Sequence, residues 1–229
     1  MMTKCGYAAL TLLLAGCAGG SSDAIRGFEA KIANPSAVIA AEIRFNQRAQ
    51  EKGQWTAFRE IAGKDAIMFV PQPTPALAWL NGRPDPSRSV KWQPHKAFMS
   101  CDGKTGVTTG AAQWPDGRHG YFTTVWNLDK RNPNDPGEWR WIVDHGDFIA
   151  SPRGAPEMIE TRVASCKGSA PATLIAPAEG AKMKTGLSRD QSLSYTWTVQ
   201  ADGSRTVEVK LWNGQAADTV ILDRVAAAR

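Results

Sequence analysis

An α+β fold is what this 229-residue sequence predicts, and three observations predict it. Apolar residues recur at helical spacing at Val38, Ala41, Phe45 and Ala49. The period then drops to two over four segments of about ten residues each. Turn chemistry such as Asp102-Gly103, Asp116-Gly117 and the run from Asn132 to Gly137 separates those segments. Helices followed by a run of antiparallel strands pack as an α+β arrangement.

The elements follow in chain order. Lys4, an apolar stretch from Tyr7 to Leu14 and the sequence Leu14-Ala15-Gly16-Cys17 together resemble a bacterial lipoprotein signal. The apolar stretch is too short to cross a bilayer. Residues 1–16 are therefore expected to be a signal peptide, with Cys17 the lipidated residue. Residues 17–33, with Gly19, Gly20, Ser21 and Ser22, read as a flexible tether. An ordinary secretory signal cut elsewhere, or a buried N-terminal helix, is the alternative. The lipoprotein resemblance implies more than one acyl chain, which firm anchoring requires. It also implies the periplasmic face of the outer membrane in a Gram-negative cell, because Ala18 stands where an inner-membrane retention signal has Asp.

Asn34-Pro35-Ser36 starts a long amphipathic helix that breaks near Gly53. A second, short helix over 54–62 offers Trp55 and Phe58 to a core, and Gly63 ends it. Residues 66–70 read as a short strand stopped by Pro71, Pro73 and Pro75, and 76–80 as one helical turn. The long strands are expected over 90–99, 105–114, 119–128 and 138–148. After a linker over 168–190, marked by Pro171, Pro177 and Gly180, residues 191–229 alternate again. Leu193, Tyr195, Trp197 and Val199 share one face, Asp202-Gly203 turns the chain into Val207, Val209 and Leu211, and Asn213-Gly214 turns it toward Val220–Leu222. This three-stranded β-meander has one apolar face. It would be marginal alone, so it should dock on the main domain or on a partner.

Composition narrows the function classes. The formal charge is +5, and signal cleavage lowers it by one through loss of Lys4. The cations are scattered among acids, so no nucleic-acid footprint is visible. Cleavage also removes Cys5, and lipidation consumes Cys17. Cys101 and Cys166 then remain as an even pair, which suggests a disulfide in an oxidising compartment. Closing that loop would stabilise the fold by ~4 kcal/mol in the chain-entropy model. Two separate buried thiols are the alternative.

Several segments carry a family resemblance, in order along 41–146. They are Phe45-Asn46-Gln47-Arg48-Ala49-Gln50-Glu51-Lys52-Gly53, then Ala57-Phe58, Asp65-Ala66-Ile67 and Trp92-Gln93-Pro94. Next come residues Asp102 to Gly110 and Trp139-Arg140-Trp141-Ile142-Val143-Asp144-His145-Gly146. This half of the mature chain resembles the NTF2-like superfamily, and within it the SnoaL-like and DUF4440-type domains. The resemblance implies a domain over 34–167 in which N-terminal helices pack on a curved antiparallel sheet as a cone. It implies a conical apolar pocket, with the outer sheet face used for homodimerisation. Its superfold hosts enzymes and non-catalytic binders alike, so chemistry has to be argued from the site.

Asp144 and His145 are the candidate catalytic pair. Neighbours on a strand point to opposite faces, so one of them faces the pocket. Trp139, Trp141, Val143 and His145 are expected on one face, and Arg140, Ile142 and Asp144 on the other. Either candidate would serve as a general base near neutral pH; a structural hydrogen-bonding role is the alternative. Trp92, His95, Trp126 and Trp141 are expected to line the pocket. Seven of the nine tryptophans fall between Trp55 and Trp141, and they either fill the core or wall a cavity for a flat ligand. No metal site is expected, because His95, His119 and His145 are widely spaced. No cofactor is expected either: Gly103-Lys104-Thr105 lacks the first glycine of a phosphate loop, where Phe98 stands. Ser100-Cys101 has no nucleophile-elbow context. The leading expectation is a lipid-anchored envelope protein whose pocket binds a small apolar or aromatic ligand, or a partner protein. Its rivals are a SnoaL-like isomerase, cyclase or dehydratase and a structural envelope component acting through the C-terminal meander.

Overall fold

The structure, a computed structural model, describes residues 33–130, 132, 135–168 and 176–227. The expected signal peptide, Cys17 and the tether up to residue 32 lie outside the described residues.

Helix α1 (Pro35–Lys52) starts where its capping residues direct. The Asn34 side chain accepts the Ser36 N–H at 3.0 Å, and Pro35 fills the first turn, where a helix needs no amide donor. Gly53 ends it at φ 103°, a backbone conformation that suits glycine. A side chain there would also collide with Asp85. That carboxylate accepts the Thr56 N–H and hydroxyl, at 3.0 and 2.6 Å, and so caps α2 (Gln54–Ile61) from outside.

The strands that follow are β1 (Ala62–Phe69) and β2 (Pro73–Pro75), then after the short helix α3 (Ala76–Leu80) come β3 (Lys91–Met99), β4 (Thr105–Gln113), β5 (His119–Asp129), β6 (Glu138–Phe148) and β7 (Glu160–Val163). They form one seven-stranded sheet in the order β2-β1-β6-β5-β4-β3-β7. Pairs β1/β6 and β3/β7 are parallel and the others antiparallel. The helices cover one face. Their core gathers Val38, Ala41, Phe45 and Phe58 with Trp92, Met99, Trp126 and Trp141 from the strands. Close approach of α1 to β4 depends on Gly106, where a Cβ would come within 3.0 Å of the Val38 side chain.

A second sheet, β8 (Lys182–Leu187), β9 (Leu193–Val199), β10 (Arg205–Trp212) and β11 (Ala217–Val225), is antiparallel throughout, in the order β11-β10-β9-β8. Its apolar face packs against the back of the larger sheet. Phe98, Val107, Val125 and Val143 meet Leu193, Trp197, Val207, Val209 and Leu211 there. The Cys101–Cys166 disulfide closes one end of this interface, with Cα atoms 5.3 Å apart. Beside it, Ser192 and Asp190 accept the amides of Cys101 and Asp102 at 2.8 and 2.7 Å.

The expected fold class is thereby corrected. The chain is predominantly β: a mixed seven-stranded sheet and a four-stranded antiparallel sheet, with three helices among the described residues. It is not a cone of helices on a purely antiparallel sheet carrying a three-stranded meander. The four long strands and the first two helices lie where the sequence predicts them. The difference comes from edge strands. Strand β7 is exposed along its length, and β8, inside the expected linker, reads Lys-Met-Lys-Thr-Gly-Leu. Neither carries an apolar alternation, and lysines on an edge are what keeps such strands from pairing with other chains. The outer sheet face assigned to a homodimer is covered within this chain by the second sheet.

Candidate functional site: a cavity and two polar clusters on opposite faces of β6

Strand β6 positions both candidate residues, and a bulge decides which neighbours they keep. In the β5/β6 ladder Val125 faces Val143 and Trp126 faces Trp141, so Ile142 is an extra residue on β6. Such a bulge turns successive side chains to one side and shifts the alternation beyond it. Trp141 therefore joins the helix-side core while Ile142 and Val143 pack toward the second sheet. Expected on a face with Val143 and His145, Trp141 instead shares the helix side with Asp144.

On that side, a row of partners crosses the sheet in register: Met68, Asp144, Thr124, Thr108 and Ala97, from β1, β6, β5, β4 and β3. The Thr124 hydroxyl donates to Asp144 Oδ2 at 3.1 Å. Among the described residues it is the hydrogen-bond donor to that carboxylate, so Oδ1 is left to the cavity. At the other end the Thr108 hydroxyl donates to Glu42 Oε2, to which Trp126 Nε1 also donates at 3.0 Å. Trp92 Nε1 donates to Glu42 Oε1 at 2.6 Å. Glu42, projecting from the apolar face of α1, is wholly buried. Burial pushes its carboxyl up to about 7 against the opposing pull of its three donors, and the charge of Asp144 adds to the rise. Asp144 is pushed up to about 6, again chiefly by burial. It is only half-buried by surface area, and the two facts agree if its exposed oxygen meets the cavity rather than bulk water.

That cavity has a volume of about 220 Å³. Trp55, Phe58, Met68, Trp92, Trp114 and Phe122 supply most of its apolar wall, and Asp144 its ionisable group on the helix side. Trp55 and Phe58 meet edge to face at 5.6 Å, and Phe58 meets Trp92 in the same way at 6.1 Å. Of the tryptophans expected to line the pocket, Trp92 does so. Trp126 and Trp141 lie behind the wall with no exposed surface, their indoles held by Glu42 and by the Phe58 carbonyl. His95 occupies a separate surface depression with His119 and Arg153, where burial and the arginine charge lower its pKa.

His145 touches the cavity edge, but its side chain has no exposed surface and lies between the two sheets. Arg205 Nε donates to its Nε2 at 3.1 Å, which requires that nitrogen to be unprotonated. Its Nδ1 lies 3.8 Å from Asp223 Oδ2, beyond hydrogen-bond distance. Burial lowers the pKa of the ring, so the neutral form persists. Around it the charges are paired: Arg205 with Asp147 at 2.7 Å and Arg153 with Asp223 at 3.5 Å, while the Thr123 hydroxyl donates to Asp223 at 2.7 Å.

Among the described residues no group of three or more His, Cys, Asp or Glu is placed to hold a metal ion. None of their helices is long and apolar enough to cross a membrane. No family model matches the sequence, and no curated protein or solved structure is significantly similar to it. The resemblance of segment 41–146 to the NTF2-like superfamily therefore rests on its sequence segments alone.

Sequence reasoning missed Glu42, Thr108 and Thr124. The signal for Glu42 was present: a carboxylate between Ala41 and Phe45 falls inside the apolar stripe of α1, where a charge has to find buried partners.

Proposed function

We propose that this protein is a lipid-anchored envelope protein that binds a small, flat, largely apolar molecule in the cavity beside Asp144, without turnover. The observation that carries the reading is the cavity itself: an aromatic and aliphatic wall with one carboxylate oxygen turned into it. Such a lining recovers the hydrophobic free energy of an apolar guest at roughly 25 cal/mol per Å² buried, and one polar group orients it. The volume lies below the ~300–1,000 Å³ usual for drug-sized ligands, which favours a guest of one ring. Membrane attachment rests on Lys4, the apolar stretch and Cys17.

Met68 lines the cavity, and its methyl resonance reports on it. Benzyl alcohol should shift the methyl resonance saturably, and exchange of Cys17 for alanine should release the protein from membranes. An unshifted Met68 signal at millimolar probe would contradict ligand binding. A Cys17→Ala protein that stays membrane-bound would contradict the anchor.

A second reading has one observation in its favour. Asp144, with its pKa near 6, is suited to abstract a proton from a bound carbon acid. It predicts turnover that Asp144→Asn abolishes. The structural-component reading has less to draw on, since the apolar face of the C-terminal sheet is used up within the chain.

A further inference from the structure

Charge on the cavity wall is one-sided. Among the described residues the cavity lining includes no lysine or arginine, and its histidine is closed off and neutral. Arg205 and Arg153 lie behind the lining residues Phe69, His145 and Tyr121, but each is paired with a carboxylate of its own, Asp147 and Asp223. Asp144 turns an oxygen without a protein donor toward the space, and Glu42 lies behind it as a second, buried acid. Among the described residues the elements packed around Asp144 bring no cation to balance it: β1 supplies Met68, β5 Thr124, β4 Thr108, α1 Glu42 and α2 Trp55 and Phe58. Much of the remaining wall is aromatic, and the face of an indole or phenyl ring attracts a cation.

We propose that the guest is a compact organic cation, an alkyl- or arylammonium, whose charged nitrogen meets Asp144 Oδ1 while its apolar body lies among Trp55, Phe58 and Trp92. This rests on the cavity being a ligand site and names the class of ligand. An ammonium N–H gives the carboxylate the charge-assisted hydrogen bond the protein withholds. A neutral guest of the same shape leaves that charge desolvated, and an anion is repelled by both acids. Association draws Asp144 into its ionised form, so affinity should rise with pH from about 5 to about 7.5 while the amine stays protonated.

The test compares benzylamine, benzyl alcohol and benzoate by titration calorimetry and by the Met68 methyl shift, on the wild-type protein and on Asp144→Asn. Benzylamine should bind about tenfold tighter than benzyl alcohol at about pH 7.5. Benzoate should not bind. The preference should shrink to about twofold or less at pH ~5 and in Asp144→Asn, with benzyl alcohol still bound by the variant. Equal affinity for amine and alcohol, or a preference that survives in Asp144→Asn, would overturn the cation reading and leave the cavity reading standing. Absence of any Met68 shift with all three probes would overturn both. Should the variant not fold, as judged by lost alcohol binding, the wild-type pH comparison decides: a preference unchanged between the two pH values overturns the proposal.

Discussion

The two faces of strand β6 solve the same problem in opposite ways. Toward the helices, wholly buried Glu42 and half-buried Asp144 lie among threonines and indoles with no cation beside them among the described residues, so desolvation raises both pKa values. Toward the second sheet, buried His145 and Asp223 and half-buried Asp147 lie beside Arg205 and Arg153, and charge is balanced by ion pairs. Adjacent residues in the chain thus belong to unlike electrostatic environments. A balanced cluster holds two sheets in one arrangement; an unbalanced one keeps affinity in reserve for a guest. The proposed ligand site lies on the helix side, and the inter-sheet cluster is read as structural.

The largest expected effect breaks the balanced side. Arg205→Ala removes the partner of Asp147 and the donor to both His145 and the Gly146 carbonyl. Leaving a buried pair half-made costs about 3–5 kcal/mol, to be read as a lowered urea midpoint. The cavity's preference for a cation should not change in the protein that remains folded.

Glu42→Ala attacks the other side. It strips Trp92 Nε1 and the Thr108 hydroxyl of their acceptor, while Trp126 Nε1 keeps the Thr108 oxygen at 3.0 Å. Two orphaned donors plus the space vacated should cost about 2–4 kcal/mol. Glu42→Gln should cost less, because an amide oxygen still accepts from one indole.

The pH dependence of stability separates the faces by sign. Glu42 and Asp144 hold protons in the folded state that the unfolded chain has released. Their contribution is complete below the ordinary carboxylate range and is lost as pH rises through about 6 for Asp144 and about 7 for Glu42. For Glu42 that amounts to ~3 kcal/mol. His145 runs the other way. Its lowered pKa gives stability that is present above the ordinary histidine range and lost as pH falls through its folded value. Denaturation across pH should show Glu42→Gln and Asp144→Asn flattening the alkaline-side decline, and His145→Gln flattening the acid-side loss. The smallest effect is expected for Asp144→Asn at low pH, where the carboxyl is already neutral.

Much of this is legible in the sequence. Residues 90–99, 105–114, 119–128 and 138–148 declare themselves as strands by their length and the turn residues between them, although β4 and β5 are buried on both faces. Asp144 and His145 could be sent to opposite faces by the alternation of side chains along a strand. What stayed hidden was everything alternation does not govern. Ile142 is apolar, as its neighbours are, so nothing in composition marks it as the bulge that moves Trp141 to the face of Asp144. Strands β7 and β8 pair at edges by backbone hydrogen bonds, which leave no trace in side-chain pattern, and they turned an expected helical cone with a meander into two stacked sheets. Glu42 was visible as a charge in an apolar stripe. Its partners, Trp92, Thr108 and Trp126, lie far along the chain and become neighbours only through the sheet register.

The central claim is that Asp144 is a desolvated carboxyl, uncompensated by any cation, at the wall of a cavity. Its side-chain carboxyl carbon, assigned by loss of the signal in Asp144→Asn, can be titrated by carbon-13 NMR in the ligand-free protein. A midpoint near 6 is predicted, about two units above an ordinary aspartate. A midpoint in the ordinary range near 4 would mean that the group is solvated or paired, and would contradict the account.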